Sequence, residues 1–169
     1  KNIPGGRQKK VLVGAEQTFL ERAKKDMLDE HKKDLPGGSK KKKEMLSNRN
    51  MLKEFVKIGV FRGIFRVSDF NGRNVLIEDE NKLVSIDEGD IGKRVDILGG
   101  NGKHKWLIKA LNADKRIINE IINELNSVSA LYVVNKMKKY KFSDDLCKEV
   151  INNWNNLRKD LESEGVEFD

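Results

Sequence analysis

Apolar residues recur along this chain at two periods, and each period predicts a different kind of element. Over residues 16–34, EQTFLERAKKDMLDEHKKD, Phe19, Leu20, Ala23, Met27 and Leu28 return every three or four positions. That spacing predicts an amphipathic helix with one buried stripe. Pro36 ends it, because the residue before a proline is pushed out of helical geometry. Gly37 and Gly38 then form a loop. A second helix is predicted from Ser39, its N-cap, to about Lys57, with Met45, Leu46, Met51, Leu52, Phe55 and Val56 apolar.

The period then shortens. VFRGIFRV (60–67), RNVLIED (73–79), KLVSID (82–87), RVDILG (94–99) and HKWLIKAL (104–111) are short runs rich in β-branched and aromatic residues. DFNG, DEN, EGDIGK and GGNGK separate them and carry turn chemistry. Five such runs predict a small five-stranded β-barrel, SH3-like or OB-like, whose closure removes exposed edges. A five-stranded meander packed on a helix is the alternative.

From Asn112 onward the helical period returns. Ile117, Ile118, Ile121, Ile122 and Leu125 share a face. SALYVVNKMKKYKF (129–142) reads as a helix or a strand, since Tyr132, Val133 and Val134 favour either. Ser143 caps a final helix with Asp144 and Asp145 at its positive end, an apolar stripe of Leu146, Val150, Trp154, Leu157 and Leu161, and Gly165 beyond its last turn. The predicted class is α+β: a basic extended arm (1–15), two basic helices joined by a Pro-Gly-Gly loop (16–58), the small barrel (59–111) and a C-terminal helical region (112–169).

Charge changes this picture from a fold to a function class. The 169 residues include 34 Lys and Arg against 27 Asp and Glu, a net charge of +7. Residues 1–43 hold 13 cations and 6 anions, and residues 44–169 hold 21 of each, so the first quarter carries the whole surplus. Segregated charge implies an anionic partner more strongly than an evenly basic surface does. Within that quarter, IPGGRQKK (3–10) and LPGGSKKK (35–42) repeat one phrase and hold both prolines of the chain. Paired glycines let successive backbone N–H groups point one way, forming an anion-binding nest. Arg7, Lys9, Lys10, Lys40, Lys41, Lys42 and Lys43 add charge suited to phosphate contact without base reading. Loop punctuation and solvated lysines are the plainer reading of the same residues.

In the expected barrel, Arg62, Arg66 and Arg73 alternate with apolar residues and share a face. Lys103, Lys105, Lys109 and Trp106, with Phe61, Phe65 and Phe70, would supply a basic groove with stacking rings, as on single-strand-binding barrels. The competing reading places those aromatics in the core. Glu78, Asp79, Glu80, Asp87, Glu88 and Asp90 crowd two turns. Nothing makes them converge on a metal, so no metal or cofactor is expected. One cysteine, Cys147, excludes an internal disulfide and a multi-cysteine zinc site. No nucleotide-binding loop, nucleophile elbow or H-E-x-x-H motif is present. No run approaches 18 apolar residues, which is the expectation for a non-secreted protein working inside the cell, in the cytoplasm or within a nucleoprotein particle or virion. The chain opens on Lys1 rather than methionine, as a fragment or a processed product would.

The sequence therefore predicts a non-enzymatic, nucleic-acid-associated subunit of a larger assembly, whose partners are DNA or RNA and other protein subunits rather than a membrane. The first alternative is a structural protein, of a virion or another complex, whose basic arm lies across acidic neighbours. The second is a small metal-dependent nuclease or an enzyme's accessory domain.

Overall fold

The computed structural model describes residues 25–26, 45–67, 75–77, 82–85, 97–98 and 105–169. The chain divides into two compact units, one formed by Lys1–Phe55 with Asp69–Gly89 and the other by Val56–Ser68 with Asp90–Asp169.

In the first unit, three short strands form an antiparallel sheet in the order β1 (Lys25–Asp26), β2 (Val75–Ile77), β3 (Leu83–Ser85). Leu76 of β2 faces Asp26 on one side and Val84 on the other. Helix α1 (Arg49–Ile64) contributes its residues through Phe55 to this unit and the remainder to the second. Asn48 caps α1, its side-chain carbonyl accepting from the Met51 N–H at 3.1 Å, and it interrupts the helix that the sequence predicted to run unbroken from Ser39. Among the unit's described residues, the buried apolar ones are Met45, Met51, Leu52, Phe55, Val75 and Leu83.

The second unit is helical: α2 (Lys105–Ala113), α3 (Lys115–Asn126), α4 (Ala130–Lys139) and α5 (Asp144–Ser163). The starts of α3, α4 and α5 are capped by the short polar residues before them. Asp114 accepts from the Arg116 N–H, Ser129 from the Tyr132 N–H and Ser143 from the Leu146 N–H. Ile117, Ile118 and Ile121 of α3, and Cys147, Val150, Leu157 and Leu161 of α5, are buried at helical spacing. Each such aliphatic side chain contributes roughly 1.5–3 kcal/mol when fully removed from water.

The described residues are mostly helical, and the five-stranded barrel expected over 59–111 is not formed among them. Residues 60–64, expected in a strand, are the last turns of α1. Leu52, Val56, Val60 and Ile64 fall four apart and are all buried, so burial at helical spacing overrides the β-branched composition. Residues 105–111, also expected in a strand, lie in α2, where Leu107 and Leu111 are buried four apart. Ile97 and Leu98 form a bend. Two of the expected strands survive as the three-residue β2 and β3, and β1 comes from the segment predicted as the first helix.

Among the long-range contacts of the second unit, two involve the residues at and beyond the end of α5. Glu164, just past α5, places one carboxylate oxygen 2.5 Å from the Ile97 N–H and the other 2.7 Å from the Leu98 N–H. Asn112 accepts from the Glu167 N–H and donates to the Gly165 carbonyl, both at 2.9 Å, and so fastens the segment after α5 to the end of α2.

Three helices end in the same closure. After α1, Val67 N–H donates to Arg62 O and Arg66 N–H to Gly63 O; after α4, Phe142 N–H donates to Met137 O and Lys141 N–H to Lys138 O; after α5, Val166 N–H donates to Leu161 O and Gly165 N–H to Glu162 O. This paired pattern requires a left-handed residue just beyond the helix, where glycine is unstrained. Gly165 fills it at φ +100°, but Arg66 (φ 52°) and Lys141 (φ 62°) fill the other two. The Arg66 guanidinium is tied to Glu149 at 3.2 Å. Among the described residues no carboxylate pairs with Lys141. Lys141→Gly is therefore expected to stabilise the protein by about 1 kcal/mol, the strain released less the added freedom of the unfolded chain. Arg66→Gly should give less, because the ion pair goes with the strain. Thermal unfolding of the two variants checks both the sign and the order.

Candidate nucleic-acid interface

The residues that the sequence singled out for phosphate contact fall into three groups. Arg7, Lys9, Lys10, Lys40, Lys41, Lys42, Lys43, Arg73 and Lys103 lie outside the described residues, as do Phe70, the acidic turn residues from Glu78 to Glu80 and from Asp87 to Asp90, and both histidines. Arg62 and Arg66 are described, and α1 separates them from the strand face expected of them. Arg62 is only 1% exposed, so its guanidinium offers no surface to a ligand, and its Nε is enclosed without a hydrogen bond. Arg66 is spent on Glu149. Lys105 and Trp106 do lie side by side, on α2 rather than on a strand. Lys105 and Lys109 are exposed one turn apart, opposite buried Leu107 and Leu111, with Trp106 half-buried beside them.

Phe61 and Phe65, expected as barrel aromatics, form their own pair at the end of α1, with ring centroids 4.5 Å apart. A polar depression of about 410 Å³ is lined by Asn112, Ala113, Asp114, Lys115, Arg116 and Asp169. Its cations already have partners. Arg116 makes two hydrogen bonds to Asp114, at 2.8 and 3.0 Å, and Lys115 pairs with Glu167 at 3.3 Å.

A surface that the sequence did not single out lies on α4 and the turn after it. Val134 and Met137 are its buried side chains, which leaves the opposite side to water. Four of the seven large apolar side chains exposed among the described residues lie here, Leu131, Tyr132, Tyr140 and Phe142, and a fifth, Val128, just precedes α4. Leu131 is 64% exposed, Tyr132 58% and Tyr140 72%. Lys136, Lys138, Lys139 and Lys141 are interleaved with them, and no Asp or Glu occurs from Leu125 to Ser143. Tyr132, Lys136 and Lys139 follow one another at i, i+4 and i+7, hence along one helical face. The Lys136 ammonium sits 5.4 Å from the centroid of the Tyr132 ring. Lys138 reaches Asp144 only at 3.9 Å. The ambiguity between helix and strand hid this surface, because the shared face exists only at helical spacing. The legible signal was four lysines and three aromatics in eleven residues (132–142) without a carboxylate.

Among the described residues, no three His, Cys, Asp or Glu side chains converge where a metal ion could be held. Cys147 is buried in the first turn of α5. No described helix is long and apolar enough to cross a membrane. Comparison with protein-family models, curated proteins and solved structures finds no match.

Proposed function

We propose that this chain is a non-enzymatic subunit of a larger assembly that associates with nucleic acid through the phosphate backbone, with little dependence on base sequence. The observation that carries this reading is the placement of charge: all seven surplus positive charges fall within residues 1–43, concentrated in the two Pro-Gly-Gly phrases. Lysines and arginines in contact with phosphates displace condensed counterions, and that release drives binding without reading bases. The exposed lysines of α2 and α4 extend the same chemistry to the helical unit.

The test is binding as a function of salt. If about six phosphates are engaged on duplex DNA, the logarithm of the association constant should fall against the logarithm of salt concentration with a slope of about −5. Replacing Lys40, Lys41, Lys42 and Lys43 together by glutamine should make that slope shallower and weaken binding. Thermal unfolding of the same variant separates a loss of charge from a loss of fold: an unchanged transition with weakened binding is expected. A slope near zero for the unaltered protein would refute the proposal. Binding to acidic proteins in its place would favour the structural alternative.

A further inference from the structure

We infer that the outer face of α4 and the turn following it bind single-stranded nucleic acid, with Tyr132 and Tyr140 stacking on unpaired bases while Lys136, Lys139 and Lys141 hold the neighbouring phosphates. This rests on the reading of the chain as a nucleic-acid-associated protein and assigns the strand type and the residues.

Three features of the surface support it. First, rings and cations are interleaved rather than segregated. A strand of unpaired nucleotides offers a flat π-face and a negative charge at every step, and a face bearing both tyrosine and lysine complements both. Second, the surface is a poor match for a protein partner, since the centres of protein interfaces are depleted in lysine and this one carries Lys136, Lys139 and Lys141. Third, Lys141 occupies a left-handed position at φ 62° that glycine would fill without strain. Arg66 in the equivalent position is explained by its ion pair with Glu149. No carboxylate among the described residues explains Lys141. Strained residues of this kind cluster at ligand clamps, and Lys141 lies between the exposed rings of Tyr140 and Phe142 in sequence. A duplex conceals its base faces, so it would engage the lysines and leave the rings idle.

The experiment uses the full chain and two 20-nucleotide probes of equal charge, oligo(dT) and an abasic strand of the same length. Titrations are followed by fluorescence anisotropy at several salt concentrations, with a duplex as the third probe. Oligo(dT) is expected to bind about tenfold or more tightly than the abasic strand. Tyr132→Leu with Tyr140→Leu should abolish that difference and leave the salt slope unchanged. Lys136→Gln with Lys139→Gln should keep the difference and flatten the slope by about 1.4, the contribution of two single-strand phosphates. These side chains are largely exposed, so unfolding curves of the variants should superimpose on the parent's.

If oligo(dT) and the abasic strand bind equally, or if the tyrosine variant still distinguishes them, the inference is overturned while backbone binding stands. If no probe binds, both fall. If the unaltered chain sediments as a dimer that Tyr132→Leu dissociates, this face joins two copies of the chain and the inference is likewise wrong.

Discussion

Glu164→Ala is expected to destabilise the helical unit by roughly 2–5 kcal/mol. The carboxylate receives two consecutive backbone N–H groups, those of Ile97 and Leu98, at 2.5 and 2.7 Å. Ile97 and Leu98 are buried and the two hydrogen bonds part-buried, so removing the side chain leaves two donors with poor access to another acceptor. A buried donor left without an acceptor costs about 1–3 kcal/mol, and here there are two. Glu164→Gln should cost about half as much, because one oxygen remains and the new NH₂ group faces the second donor. Denaturant midpoints read the difference, provided that the slope of the transition stays constant. Equal stability of the alanine variant and the parent would show that the 97–98 segment is not held by this carboxylate.

Gly63→Ala is the second large effect, and its sign is the informative part. Inside a free helix, alanine is favoured over glycine by about 1 kcal/mol. Here an added Cβ would stand 2.8 Å from Ile97 Cγ1 and 3.0 Å from Ile97 Cα. The Cγ1 contact can relax by rotation, but the Cα belongs to a backbone that Glu164 holds by two hydrogen bonds. Overpacking of that kind costs roughly 1–3 kcal/mol, so the variant is expected to be less stable than the parent. The two sites meet at one dipeptide and should not act independently. In the Glu164→Gln background the segment can shift, and Gly63→Ala should then cost less. A double-mutant cycle by thermal unfolding measures that coupling, and strict additivity would refute it.

The second unit was largely legible where the sequence is self-consistent over a whole helix. Ile117, Ile118 and Ile121 announce α3, Ser143 announces the start of α5, and Gly165 its end, because caps and apolar stripes are local features. Residues 60–64 and 105–111, helical where strands were expected, are ambiguous for the opposite reason. Val60, Phe61 and Ile64, or Trp106, Leu107 and Ile108, suit a strand as well as a helix in isolation. Only burial of Val60 with Val56 and Leu52, or of Leu107 with Leu111, decides between them. The Glu164 clamp joins residues 66 and 67 apart, and no local pattern marks a carboxylate that will meet two distant N–H groups. Arg62 shows the same limit: an arginine between apolar neighbours reads as surface charge until the helix turns it inward.

Of the interface, the lysine excess of α4 was visible as composition, but its geometry was not. Tyr132 and Lys136 become neighbours only once Ser129 caps a helix and Val134 and Met137 turn the remaining positions outward. Propensity could not supply that, since tyrosine and valine favour a strand.

The grip of Asn112 on the segment beyond α5 makes that junction sensitive to chemical ageing. Its amide NH₂ donates a hydrogen bond to the Gly165 carbonyl and its amide oxygen accepts one from the Glu167 N–H, both across 2.9 Å. Hydrolysis of this one amide to an acid, with loss of ammonia, would set a carboxylate oxygen against a carbonyl oxygen and turn attraction into repulsion. A change of a single mass unit at one side chain would loosen the strap without altering any residue of the strap itself.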